Sequence, residues 1–413
     1  MNQTEAERYL LSLELFGMRF GLDRMRRLMT VLGHPERQFR SIHVVGTNGK
    51  SSTTRMIAAI LAHHGLRVGA YLSPHLVSFG ERIRIDDRDA EPAQFAAAVT
   101  RAARAAELVD RSLEPDDRVT QFEALTAAAY WELARQRVAV AVIEAGLGGR
   151  YDATNVIPST VQVLTSVGLE HTRWLGPTLA DIAREKLDVV RERATLVLGS
   201  GLAPEVVAVA QRVASERHAH IIQAAADPGV AVGAPGTFQR HNFALARTAA
   251  DAFLGALDPA AVAAAAAEVR VPGRLQQIDV EPLTLLDGAH NPDGIQALVQ
   301  SLPELVAGHD KVVAVVSVLD DKDAAGMLAA LIPVCDALIL TSSHNPRALP
   351  PPTLQSLTRQ LAGPPAEIVG DPYRALARAR ELAGPGGVVI ATGSIYLIAD
   401  LLAAGRRERA SIR

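Results

Sequence analysis

Residues 41–52 read Ser41-Ile42-His43-Val44-Val45-Gly46-Thr47-Asn48-Gly49-Lys50-Ser51-Ser52. An apolar, β-rich run stops at a glycine loop, and a lysine with two serines then opens a helical stretch. The run Ile42 to Val45 predicts a buried strand. Gly46 and Gly49 let backbone N–H groups turn toward one anion without a Cβ in the way. Lys50 adds a point charge. In the stretch 51–64, Met56, Ile57, Ile60 and Leu61 recur at helical spacing, so the positive end of that helix faces the loop. The pattern is a cradle for the phosphates of a nucleoside triphosphate. It is a variant of the G-x-x-x-x-G-K-[ST] loop, because Val44 stands where the first glycine would be. A glycine turn between strand and helix also occurs for purely structural reasons; the lysine and its flanking hydroxyls are what point to phosphate.

The chain has 413 residues, 48% of them hydrophobic and 21% charged, enough to build two ordinary cores. A net charge of −3 supplies no basic field for nucleic acid, and no cluster of Lys and Arg with interleaved aromatics is present. No apolar stretch approaches the roughly 18 residues that span a bilayer, and the start MNQTEAERYL lacks a basic region followed by an apolar one. The single Cys335 cannot pair internally and reads as core filler in a reducing compartment. A cytoplasmic protein with no nucleic-acid or membrane partner is expected.

Strand-like runs at 41–46, 67–72, 138–144, 161–165 and 195–199 alternate with amphipathic stretches at 93–108, 122–135 and 178–190. This alternation predicts a mostly parallel sheet with helices on both faces, and ligands at the carboxyl ends of its strands. After an alanine-rich helix at 259–268, Val271-Pro272-Gly273-Arg274 breaks the chain. A second series follows, with strands near 283–287, 311–318, 336–341 and 388–392. The expected organisation is α/β throughout: a P-loop domain over 1–272, then a smaller Rossmann-like domain over 273–413. The Pro-rich piece 346–352 and the Gly-Pro turns at 363–365 and 384–387 read as surface loops.

Three further segments place polar groups at strand ends. The run 138–144 delivers Glu144 just before a glycine loop, where a carboxylate is costly unless a cation answers it. Beside a phosphate cradle that cation is Mg²⁺, which favours one or two carboxylates plus substrate oxygens; the alternative is a cap for a neighbouring helix. After the run near 161–165 come Glu170 and His171, the histidine being either a metal ligand or an ordinary surface residue. Asp287-Gly288-Ala289-His290-Asn291-Pro292 is either a turn or an acid set to bind a ribose hydroxyl.

Together these segments resemble folylpolyglutamate synthase/dihydrofolate synthase, in the Mur ligase superfamily of ATP-dependent amide-bond ligases. The resemblance rests on His43 to Lys50, on Tyr71 to Ile85 with its Ser73-Pro74-His75 loop, on Glu144 to Asn155, on Pro272 to Leu275 and on Asp287 to Pro292. The cell-wall ligases of that superfamily carry a nucleotide-sugar domain ahead of the loop, for which too little chain precedes Gly46.

The resemblance implies that Gly46, Thr47, Asn48, Gly49, Lys50, Ser51 and Ser52 hold ATP phosphates. It implies that Ser73, Glu144, His171 and Lys186 match the magnesium ligands, Lys186 as a carbamate. Asn242, Arg274, Asp287 and His290 would approach the nucleotide, Thr120, Phe122 and Asp152 the pterin, and Arg347 with Ser317–Asp323 and Ser394–Tyr396 the incoming L-glutamate. Two Mg²⁺ ions, ATP as co-substrate, a pteroyl or folate acid and a monomeric chain complete the expectation. Where relatives have Gly-Lys-Gly-Ser, this chain has Gly49-Lys50-Ser51-Ser52, and Glu185 and Asp188 flank Lys186, where pairing with a carboxylate is the alternative to carbamylation. Two other readings remain: a Mur-type ligase for a different small acid, and a non-catalytic ATP-binding regulator.

Overall fold

The computed structural model describes residues 1–13, 21–114 and 116–403. The chain divides into two compact units, one of residues 1–75, 79–233 and 240–269, the other of 76–78, 234–239 and the chain from Arg270 onward.

The first unit is built on β1 (Arg40–Val45), β2 (Val68–Tyr71), β3 (Ile83–Ile85), β4 (Arg88–Asp89), β5 (Val140–Glu144), β6 (Val161–Leu164), β7 (Thr195–Leu198) and β8 (His220–Gln223). They lie in the order β4-β3-β2-β5-β1-β6-β7-β8, parallel from β2 to β8, with β3 and β4 antiparallel at one edge. β5 is buried along its whole length, the mark of a strand covered on both faces. Its Ala141 and Ile143 join a core with Phe95, Val99, Leu125 and Tyr130 from the helices Pro92–Asp110 and Gln121–Arg135. The helix Lys50–His63 packs on β1, β2 and β5 and buries Met56, Ile57, Ile60 and Leu61.

The second unit's sheet comprises β9 (Gln276–Val280), β10 (Leu283–Leu286), β11 (Val312–Val316), β12 (Ala337–Leu340), β13 (Ala366–Ile368) and β14 (Val388–Thr392). Its order is β13-β12-β11-β14-β10-β9, parallel except for β9, which runs antiparallel to β10. Both faces are filled, one by Leu285, Ile295, Leu298, Ala314 and Leu338, the other by Leu286, Val313, Ile339, Ala375 and Leu397. Two sequence expectations need amending. The Pro-rich piece 346–352 is not wholly loop: Pro351 and Pro352 open the helix Pro351–Gln360, where a missing N–H costs nothing in the first turn. The short strands β3, β4, β8, β9 and β13 were outside the expected set.

Among the described residues no helix is long and apolar enough to cross a membrane.

Candidate active site

β1 is flanked by β5 on one side and β6 on the other, with Val44 opposite Glu144 and Val45 opposite Leu164. The chain leaves β1 toward β2 and later fills in both neighbours, so the loop after β1 sits at a switch point of the sheet, where a crevice opens. Gly46 takes φ 154° and Gly49 φ 83°. A side chain at Gly46 would land 1.9 Å from Thr165 Oγ1, and one at Gly49 2.6 Å from Asn242 Oδ1. Both glycines are therefore demanded by close approach, and Asn242 rests directly against the loop.

The loop is pinned from the β6 side. The Ser166 hydroxyl accepts from Asn48 N at 2.9 Å, and the Thr165 hydroxyl donates to Asn48 O at 2.6 Å. The Thr47 hydroxyl accepts from Gly168 N at 3.0 Å. Thr165, Ser166 and Gly168 are not among the residues expected from the sequence, although hydroxyls directly after an apolar run are the visible signal.

Lysine amines meet the loop twice. Lys50 Nζ donates to Gly46 O and Thr47 O, each at 3.0 Å, and Lys186 Nζ donates to Gly46 O at 2.9 Å. Lys186 is only 4% exposed. Burial, and then the charge of Lys50, push its pKa down from 10.5 to about 7, against the pull of Glu170, Asp152 and Glu185. The flanking acids turn elsewhere: Glu185 and Asp188 face Arg150 at 3.8 and 3.5 Å, and Asp188 also faces Arg217 at 3.9 Å. Pairing of Lys186 with a neighbouring carboxylate is thus not what the fold builds.

Glu144 ends β5 at 1% exposure. One carboxylate oxygen accepts from Ser51 Oγ at 2.8 Å, the other from Ser73 N at 3.0 Å. The fold therefore gathers Ser51, Ser73 and Glu144 beside the loop. His171 lies on the exposed turn ahead of Thr172–Leu175, with Nε2 3.8 Å from Glu170 Oε1. Among the described residues no three His, Cys, Asp or Glu side chains gather into a metal cage. A hard cation that keeps several waters and takes phosphate oxygens needs no such cage, and one buried carboxylate with the Ser51 hydroxyl on it and Ser73 beside it suits it.

Of the expected pterin residues, Phe122 packs against Gly146, where an added Cβ would lie 2.5 Å from the ring, and stands 6.1 Å from Tyr71. Asp152 is buried and accepts from Leu147 N at 2.8 Å and Thr154 N at 3.0 Å; burial raises its pKa against these hydrogen bonds. Thr120 caps the helix Gln121–Arg135, trading hydrogen bonds with Glu123. Glu123 in turn holds the buried Arg24 at 3.0 Å.

In the second unit, Asp287 follows β10, buried, with one oxygen accepting from Leu275 N at 2.9 Å and the other from Ala289 N at 2.8 Å. Burial raises its pKa, opposed first by Arg274. His290 Nδ1 donates to Gly288 O at 2.9 Å, since a carbonyl can only accept. Arg347, in the segment after β12, stands 3.5 Å from Asp321, which follows β11.

A phosphate-loop sheet followed by a second parallel sheet matches the plan of a Mur-type ligase, and residues 273–395 match the family model described as Mur ligase, glutamate ligase domain. A Mycobacterium tuberculosis protein named dihydrofolate synthase/folylpolyglutamate synthase is 36% identical over 386 residues, 83% of this chain and 78% of that one. The solved structure of Mycobacterium tuberculosis folylpolyglutamate synthase complexed with ADP superposes with TM-score 0.91 at 32% identity, covering 98% of this chain and 99% of that one. The Yersinia pestis bifunctional folylpolyglutamate synthase/dihydrofolate synthase, complexed with AMPPNP and a Mn ion, gives TM-score 0.86 at 30% identity, covering 98% of both chains. This chain belongs to the folylpolyglutamate synthase/dihydrofolate synthase family.

Proposed function

We propose that the protein joins L-glutamate to the carboxylate of a pteroyl or folate acid at the expense of ATP, through an acyl phosphate. The observation that carries this reading is the grouping of Lys50, Ser51, Ser73 and Glu144 around the loop after β1.

A carboxylate is a poor acyl donor, so its oxygen first attacks the γ-phosphorus. The bond to the β-phosphate oxygen breaks, ADP leaves and an acyl phosphate forms. The glutamate amine then attacks the acyl carbon, inorganic phosphate departs and the nitrogen loses its proton. In this reading the backbone of residues 46–52 and the Lys50 ammonium neutralise phosphate charge. Asn242 closes against the loop. Glu144 and Ser73 would hold a Mg²⁺, with His171 and a carbamylated Lys186 serving a second one. Such ions supply Lewis-acid polarisation of phosphate oxygens when bound. Phe122 and Asp152 receive the pterin, the ring against an aromatic face and its N–H groups on a carboxylate. We assign residues 1–272 to ATP and 273–413 to glutamate, with Arg274, Asp287 and His290 toward the nucleotide and Arg347 toward glutamate; the family match at 273–395 supports that division. A depressed Lys186 pKa supports carbamylation, which needs a neutral amine; intact mass with and without bicarbonate reads it. A monomer working in the cytoplasm suits this chemistry, and light scattering at assay concentration tests the monomer.

The decisive assay follows phosphate release with dihydropteroate, tetrahydrofolate or unrelated acids, each with and without glutamate. Release that needs both glutamate and a pteroyl acid, with ¹⁸O passing from the acid into phosphate, is expected. Release independent of either substrate, or carrying no label, rejects the reading.

A further inference from the structure

His43 lies in the middle of β1, wholly buried, three residues before the phosphate loop, and the phosphate chemistry does not use it. Its Nε2 stands 2.8 Å from Thr154 Oγ1. Thr154, also fully buried, follows the Asp152 turn, and its hydroxyl makes a short hydrogen bond to Asp152 Oδ1. Tyr130, from the helix Gln121–Arg135, donates to Thr154 O at 2.9 Å.

With Asp152 ionised, the proton order in this chain follows from valence. A hydroxyl has one proton, and here it goes to the carboxylate. Thr154 Oγ1 must then accept, so His43 carries its proton on Nε2. Nδ1 is left as a buried lone pair with no hydrogen-bond partner among the described residues. A histidine serving stability alone would not be expected to leave one nitrogen unmet, since an orphaned buried acceptor costs stability. Burial, and then Arg191, hold the ring neutral by lowering its pKa to about 3, so the donor role persists across working pH.

Resting on the reading of Asp152 as the pterin-facing carboxylate, we infer that His43 is a positioning residue for pteroyl binding. It acts through Thr154 to fix the direction in which the Asp152 carboxylate points. Oδ1 is spent on the Thr154 hydroxyl and Thr154 N, and Oδ2 accepts from Leu147 N, so the acceptor direction left on Oδ2 is set. β1 thereby serves two substrates: its end holds phosphate, and its middle aims the acid that reads the other substrate's ring.

The test is steady-state kinetics on the full-length enzyme, varying the pteroyl acid and ATP separately, for His43→Leu, His43→Gln, Thr154→Val, Thr154→Ser, the Leu/Val double variant and Asp152→Ala. His43→Leu and Thr154→Val are each expected to raise KM for the pteroyl acid about 10-fold, with KM for ATP held near the parent value. His43→Gln, which keeps an N–H donor, and Thr154→Ser, which keeps the hydroxyl, are expected to recover most of the loss. The double variant should be no worse than Thr154→Val, because the two residues act in series. Leucine removes the orphaned Nδ1 with the ring, so unfolding is not the expected result; if it occurs, the Thr154 pair still decides. If Asp152→Ala raises KM but His43→Leu and Thr154→Val do not, or if ATP and pteroyl KM rise together, the relay is overturned while the reading of Asp152 stands. If Asp152→Ala itself leaves pteroyl KM unchanged, that reading fails and takes the relay with it.

Discussion

After β1 the chain turns through two glycines of positive φ and delivers a lysine to a helix start; after β10 it turns through Asp287 and Gly288 and delivers a carboxylate. Both segments end a strand with a parallel neighbour and precede a helix. The first leaves its charge uncommitted: among the described residues Lys50 bonds only loop carbonyls, which a phosphate displaces at little cost. The second spends its charge internally, with both Asp287 oxygens accepting backbone N–H groups from Leu275 and Ala289. One strand end is built to receive an anion. The other is a clasp, stitching β10 to the Gly273–Leu275 turn while keeping two lone pairs in reserve.

The largest effect expected from this contrast is on Lys50. Lys50→Ala removes a side chain whose amine, among the described residues, bonds only Gly46 O and Thr47 O, so the fold should survive with an unchanged melting profile. Turnover should fall about 10³-fold, the scale of losing a preorganised cation at a transferring phosphoryl group. Retained turnover would dissolve the contrast at its first member.

A smaller effect is expected at Asp287. Asp287→Asn keeps the shape but turns one oxygen into an NH₂, which then faces Leu275 N or Ala289 N donor to donor. Leaving a buried N–H unmet costs about 1–3 kcal/mol. Urea unfolding should show that loss, and hydrogen exchange should quicken around β10 and Leu275. A variant that unfolds like the parent would show that Asp287 is not a clasp, and its nucleotide affinity would then test separately the place toward the nucleotide proposed for it.

The same contrast explains what the sequence could tell. The run 41–52 is local: strand, loop, charge and helix lie within a dozen residues, and glycine at two positions is a direct trace of backbone geometry. Glu144, at the tip of an unbroken apolar strand, was legible because a lone acid ending a buried run has to be answered. Asp287 was legible as a polar strand end but not as a clasp, because its partners Leu275 N and Ala289 N are backbone groups without a sequence signature. Thr120 shows the reverse problem, for its Glu123 partner three residues on is the pattern of a capping box, and that local explanation went unread. The loop partners Thr165, Ser166 and Gly168 are brought to residues 47 and 48 by the pairing of β1 with β6, a contact over more than a hundred positions. The unanticipated strands share one cause: β3, β4, β8, β9 and β13 lie toward the sheet margins, and segments such as Gln276-Gln277-Ile278-Asp279-Val280 have too few buried positions to show alternation.

The least dramatic prediction bears on the crowding of two lysines at one loop carbonyl. Lys186 and Lys50 both donate to Gly46 O, and the charge of Lys50 is the second cause, after burial, of the Lys186 pKa near 7. Because the folded value lies below that of a free lysine, the unfolded chain holds an extra proton between about pH 7 and 10.5, and this group makes stability rise with pH in that window. The same shift governs reaction with CO₂, where the neutral amine attacks carbon and releases one proton. At pH 6 about a tenth of Lys186 is neutral and at pH 8 about nine tenths, so the mass gain in bicarbonate should grow several-fold between those values at equal dissolved CO₂. Lys50→Ala removes the repelling charge, lets Lys186 hold its proton more tightly and moves the midpoint of modification to higher pH. A midpoint that stays in place would show that burial alone sets the amine, and that the loop after β1 tolerates its two cations independently.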